Sequence, residues 1–125
     1  MIDFTWIAVQ VLFGALGATA RFAVMVAIQP GRWSWGLFTV NMGGSLLVGL
    51  VFGAYVARTI DWSVAASFLA FAAGFTTFST LTVTAAELAE RGTMWRGLVL
   101  TGTHVVLGVL LAGAGYISAS ALLGA

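Results

Sequence analysis

Residues 62–90 read WSVAASFLAFAAGFTTFSTLTVTAAELAE. No charged side chain occurs before Glu87, and a helix needs about 20 apolar residues to cross a bilayer. The stretch is therefore long enough to span, but its middle is unusual. From Gly74 to Thr84, six of eleven residues carry a hydroxyl. Ser and Thr side chains compete for nearby backbone groups and are indifferent helix formers. Gly74 loosens the backbone further. The pattern predicts a membrane helix broken near its midpoint. Interrupted backbone at that depth is tolerated only where it is buried in protein or lines a polar cavity. The competing reading is a continuous helix whose hydroxyls bond back to their own preceding turn.

Three further apolar blocks surround this one, and turn residues and charges mark their limits. They cover about residues 4–28, 35–57 and 94–123, with the quoted block at 62–90. Gln29-Pro30-Gly31-Arg32 and Arg58-Thr59-Ile60-Asp61 close the first two, and Glu90-Arg91-Gly92 ends the third. Trp6, Trp33, Trp35, Trp62 and Trp95 all fall at block ends, where an amphipathic ring favours the headgroup layer. The expected architecture is an all-α membrane protein of four transmembrane helices, forming a single domain over residues 1–125.

Composition supports that class. Of 125 residues, 61% are hydrophobic and 7% charged, with a mean hydropathy of +1.07. Soluble domains carry roughly 25% charged residues. A net charge of +1 lacks the basic footprint of a nucleic-acid binder. With no cysteine, neither disulfides nor thiolate metal sites are available. Asp3, placed before the first apolar run, argues against a cleavable signal.

Glycines provide the packing signal. Gly14 and Gly17, Gly43 and Gly44, Gly49 and Gly53, and Gly108 and Gly113 leave flat strips on their helices. In lipid, helices associate through close backbone approach and not through hydrophobic energy. Such strips serve packing within the chain or a subunit interface.

The polar residues inside the spans are short of catalytic machinery. No His or carboxylate cluster has metal-ligand spacing, and no serine has a base beside it. Glu87 and Arg91 have the spacing of an intrahelical ion pair. His104, alone in an apolar helix, reads as a buried neutral side chain with one hydrogen bond. An enzyme is not expected. A conduit is, because neutral donors suit an anion that must shed water without being trapped. Asn41 offers an amide, Thr39, Thr76, Thr77, Ser79 and Thr80 offer hydroxyls, and Phe78 offers the positive edge of its ring. Carbonyls of an opened helix would instead suit a hard cation such as sodium.

Three stretches resemble the Fluc (CrcB) family of fluoride channels. Gly14-Ala15-Leu16-Gly17-Ala18-Thr19-Ala20-Arg21 is similar to that family's first-helix motif. Gly36-Leu37-Phe38-Thr39-Val40-Asn41 is similar to its second-helix pattern, and Gly74-Phe75-Thr76-Thr77-Phe78-Ser79-Thr80 to its broken third helix. Order and spacing agree across the whole chain. The resemblance implies an antiparallel, dual-topology-type dimer in the plasma membrane, with two fluoride pathways and a central structural sodium ion. It places Asn41 and Phe78 on the anion pore and Arg21 at the vestibule; the hydroxyls of Thr39, Ser79 and Thr80 are grouped with the pore from the polar pattern above. It assigns the sodium to the main-chain carbonyls of Ala73 and Thr76.

Some positions depart from the family pattern. Leu81 stands where a second pore phenylalanine is usual, Thr84 where a glutamate is usual, and Val105 and Val109 at the fourth-helix serine positions. All of these changes remove polar or aromatic lining. The loops after the first and third spans carry Arg32, Arg91 and Arg96, against Arg58 on the other side. That bias places those two loops in the cytoplasm and both termini outside. A chain fixed in one orientation needs an oppositely oriented mate, so a paralogous Fluc-type subunit is favoured over self-pairing. The expected function is passive export of cytoplasmic fluoride by a channel subunit. Two alternatives are a small multidrug exporter, which would need a carboxylate within the first span, and a non-conducting subunit that completes a partner's pore.

Overall fold

The computed structural model describes residues 3–28 and 34–124. The loop expected at Gln29–Arg32, and Trp33, lie outside the described residues. The chain forms helices α1 (Phe4–Ala27), α2 (Trp35–Val56), α3 (Trp62–Phe75), α4 (Phe78–Glu90) and α5 (Met94–Leu123). α3 and α4 together make one crossing, Trp62–Glu90, so four segments are long and apolar enough to span a membrane.

Local chemistry sets the ends. Asp3 and Asp61 are N-caps, accepting from the amides of Thr5 (3.3 Å) and Val64 (2.9 Å). Arg58 (φ 57°) and Gly92 (φ 72°) turn the chain after α2 and α4 through left-handed conformations. Trp6, Trp35, Trp62 and Trp95 lie in the first turns of their helices, as an interfacial ring requires. Glu87 and Arg91 meet through the backbone, the Arg91 N–H donating to the Glu87 carbonyl at 3.1 Å.

The bundle is built from two close pairs. α1 lies along α3, with Gly14 at Ala70 and Gly17 at Phe71. α2 lies along α5, with Ser45 at Gly108, Gly49 at Ala112 and Gly53 at Tyr116. The sequence offset is the same at each of those steps, so α2 and α5 run in the same direction. A Cβ on Gly49 would collide with the Ala112 carbonyl, and one on Gly74 with the Gly14 carbonyl. Only glycine allows backbones this close. Most of the glycine strips thus serve packing within the chain, while Gly113 faces open space. The buried apolar cluster is small: Leu37, Leu81 and Leu100, with Leu88 against it. Val40, Met42 and Val51 are also buried, while many large apolar side chains face outward, as they do where lipid is the solvent.

Candidate functional site

Helical hydrogen bonding is interrupted at the middle of the third crossing. Thr76 (φ −82°, ψ 162°) and Thr77 (φ −147°, ψ 118°) are extended between α3 and α4. The Thr76 amide still reaches the Ala72 carbonyl at 2.9 Å. The Thr77 amide does not continue the ladder to Ala73. It donates to Asn41 Oδ1 on α2 at 2.8 Å, and Asn41 Nδ2 donates back to the Thr77 carbonyl at 3.1 Å. This pair of bonds fixes the orientation of the Asn41 amide, because the flipped amide would set donor against donor. Thr77 is buried, so without Asn41 its main-chain groups would lack partners in a medium that supplies none.

The surrounding side chains restart and brace the helix. Thr77 Oγ1 accepts from the Thr80 amide at 3.3 Å as the N-cap of α4, and it lies 3.3 Å from Ser79 Oγ and 3.0 Å from Thr80 Oγ1. Further along, Thr82 donates to the carbonyls of Phe78 and Ser79 (3.2 and 2.9 Å), and Thr84 to that of Thr80 at 2.8 Å. Thr82 and Thr84 thus bond back to their own preceding turn, while Thr77 caps α4. From α1, Arg21 Nη1 donates to the Thr76 carbonyl at 3.0 Å. Gly44 makes room for Thr76, since a Cβ there would collide with the threonine methyl.

An open groove of about 440 Å³ borders the interruption, walled by α2, α4 and α5. It brings together Asn41, Thr76, Thr77 and Phe78 with Leu81, Val105 and Val109. The Phe78 ring is 71% exposed and so is free to meet whatever fills the groove. Ser79 and Thr80 stand beside it in the first turn of α4. Thr39 is elsewhere. It lies two residues from Asn41, about 200° around the helix, on an exposed face of α2 and outside the groove lining.

The model of the family described as CrcB-like protein, Camphor Resistance (CrcB), matches residues 8–116. The chain belongs to the CrcB-like family. Among its relatives is a fluoride-specific ion channel FluC of Bordetella petrii, 33% identical over 110 residues that cover 86% of each chain. One from Nitrobacter winogradskyi is 36% identical over 121 residues (90% of this chain, 94% of the relative). One from Hyphomonas neptunium is 38% identical over 104 residues (78% and 82%).

The sequence reading of this CrcB-like chain misses Ser45 and takes His104 only as a buried side chain, not as a groove residue. Ser45, one turn after Asn41 on the same face of α2, lines the groove, and so does His104. A seryl between two apolar runs carries no signal of its own, though its i+4 spacing from Asn41 could have drawn attention. His104 has the expected single bond, Nδ1–H to the Leu100 carbonyl at 2.8 Å, and the edge-on ring of Phe38 at 5.6 Å. A carbonyl can only accept, so Nδ1 carries the proton. Nε2 is buried and without a partner among the described residues.

The two carbonyls that the resemblance assigns to sodium differ in their surroundings. The Ala73 carbonyl is released by the redirection of the Thr77 amide, and the residue is exposed. The Thr76 carbonyl receives Arg21 on one of its two lone pairs. Carbonyl oxygens suit a hard cation, but two of them from one chain are too few to enclose it.

Proposed function

We propose that this chain is a subunit of a fluoride channel of the plasma membrane, passing fluoride passively out of the cytoplasm. The observation that carries this reading is the Asn41–Thr77 double hydrogen bond at the middle of the third crossing, on the wall of an open groove that Phe78 also lines. It is supported by membership of the CrcB-like family and by relatives named as fluoride-specific channels. The Thr76–Thr77 interruption is then the broken third helix of such channels. It keeps a polar strip in an apolar wall without placing a fixed cation on it. Neutral donors and the ring edge of Phe78 replace part of the water around the anion and let it leave again. The chain has the chemistry of a conduit and is not an enzyme.

The groove is open on one side, and an oppositely oriented second subunit would close it. The same mate would double the carbonyls of Ala73 and Thr76 to four, around a sodium ion held at the centre as a structural tie. A paralogue is favoured over a second copy. A small multidrug exporter does not fit, because no acidic residue lies within α1 and Asp3 caps its end. One observation favours a subunit that mainly completes its partner's pathway. Leu81, at a pore phenylalanine position, is buried in the chain's own core with Leu37 and Leu100.

The test is fluoride efflux from liposomes holding the assembled dimer. Asn41→Leu and Phe78→Ala are each expected to slow efflux by about tenfold or more, the scale of one lost charge-assisted contact. Unchanged flux in both variants would remove those residues from the pathway.

A further inference from the structure

We infer that Ser45 supplies the hydroxyl of the fluoride pathway that the fourth crossing lacks, an inference resting on the transport reading above. On α5, the positions facing the groove beside Ser45 are Val105, Gly108 and Val109, none with a polar side chain. On α2, Asn41, Ser45 and Val48 follow at helical spacing along the same groove, so Ser45 is the next polar group beyond Asn41 in that direction. The two helices are in register here. A Cβ placed on Gly108 would stand 3.2 Å from Ser45 Oγ, tighter than ordinary contact. Glycine at 108 thus leaves the volume in which the Ser45 hydroxyl stands, and the donor crosses from one wall of the groove to the other. The hydroxyls of Thr82 and Thr84 turn back onto their own helix, which leaves them poor replacements. An anion leaving Asn41 meets Ser45 about 6 Å further along, one helical turn away, and without it would face an apolar wall.

The experiment measures fluoride efflux from liposomes containing the assembly in which the wild-type chain conducts. Ser45→Ala is expected to slow efflux roughly tenfold, with helix content and elution in detergent unchanged. Adding Gly108→Ser to Ser45→Ala returns a hydroxyl to the same volume from the opposite helix, and is expected to restore at least half of the lost rate. Wild-type rates in Ser45→Ala would overturn the inference. So would a slow Ser45→Ala that Gly108→Ser fails to rescue, since the defect would then be one of packing. If Ser45→Ala conducts normally while Asn41→Leu is slow, the transport reading stands and only the role of Ser45 falls. A wild-type chain that releases no fluoride in any assembly sinks both.

Discussion

Asn41 does for Thr77 what a neighbouring strand does in a sheet, taking its amide and returning a bond to its carbonyl. This arrangement makes Asn41 a structural residue, and that role separates by measurement from the pathway role proposed for it. Asn41→Ala leaves two buried main-chain groups without partners, at about 1–3 kcal/mol each. It is expected to lower the unfolding temperature in detergent as well as the flux. Ser45→Ala removes no such partner and is expected to lower the flux alone. Equal stability of Asn41→Ala and wild type would show that the interruption holds without the amide. His104 gives the opposite expectation. Its ring makes one hydrogen bond and buries one unpartnered nitrogen, so His104→Phe exchanges a bond worth about 1 kcal/mol for relief of a similar penalty. Its unfolding temperature should stay within a few degrees of wild type, and a large fall would show that Nε2 has a partner in the assembled protein.

At the level of the helices, α2 and α5 are joined by glycine. Gly49→Val would drive a branched side chain into the Ala112 backbone, where nothing can give way. Overpacking costs about 1–3 kcal/mol even where side chains yield. Loss of monodisperse protein is therefore expected for Gly49→Val, while Gly102→Ala, which meets nothing within 4 Å, should purify as wild type. Equal behaviour of the two would mean that α2 and α5 are not paired this way. These elements were legible in the sequence because hydropathy and tryptophan mark the ends of spans whatever the helices do next. Gly74 and the hydroxyl run drew attention to the stretch where Thr76 and Thr77 are extended between α3 and α4. The faces were harder to read. In a soluble helix the polar side points away from the core, but these helices are apolar all round, so periodicity does not say which residues meet a groove. The pattern therefore neither marks Ser45, nor puts His104 on the groove, nor separates Thr39 from Asn41. The Arg21 bond to Thr76 joins two residues named for different tasks, and only the fold shows them to be neighbours.

For the whole molecule, the open groove and the arginine distribution bear on the same question. The groove wall offers Phe78 to the outside, and a lone bundle would leave that polar strip against lipid, where its groups find no donors. Arg91 and Arg96 on one side, with Arg32, outnumber Arg58 on the other, so the chain should insert one way only. The absence of native cysteine makes this simple to measure. Ser63→Cys, at the start of α3, should react with an impermeant thiol reagent on intact cells, and Met94→Cys, at the start of α5, only after permeabilisation. Equal labelling of both from outside would show insertion in both orientations and remove the need for a different mate. A chain fixed in one orientation cannot supply its own antiparallel partner, whatever its concentration in the membrane. Purified alone, it is therefore expected to conduct poorly in liposomes, and to gain flux when reconstituted with a four-span relative whose arginine bias is reversed. Robust efflux from the chain alone would mean that it turns over in the membrane despite its charges, and that the pathway closes between two identical copies.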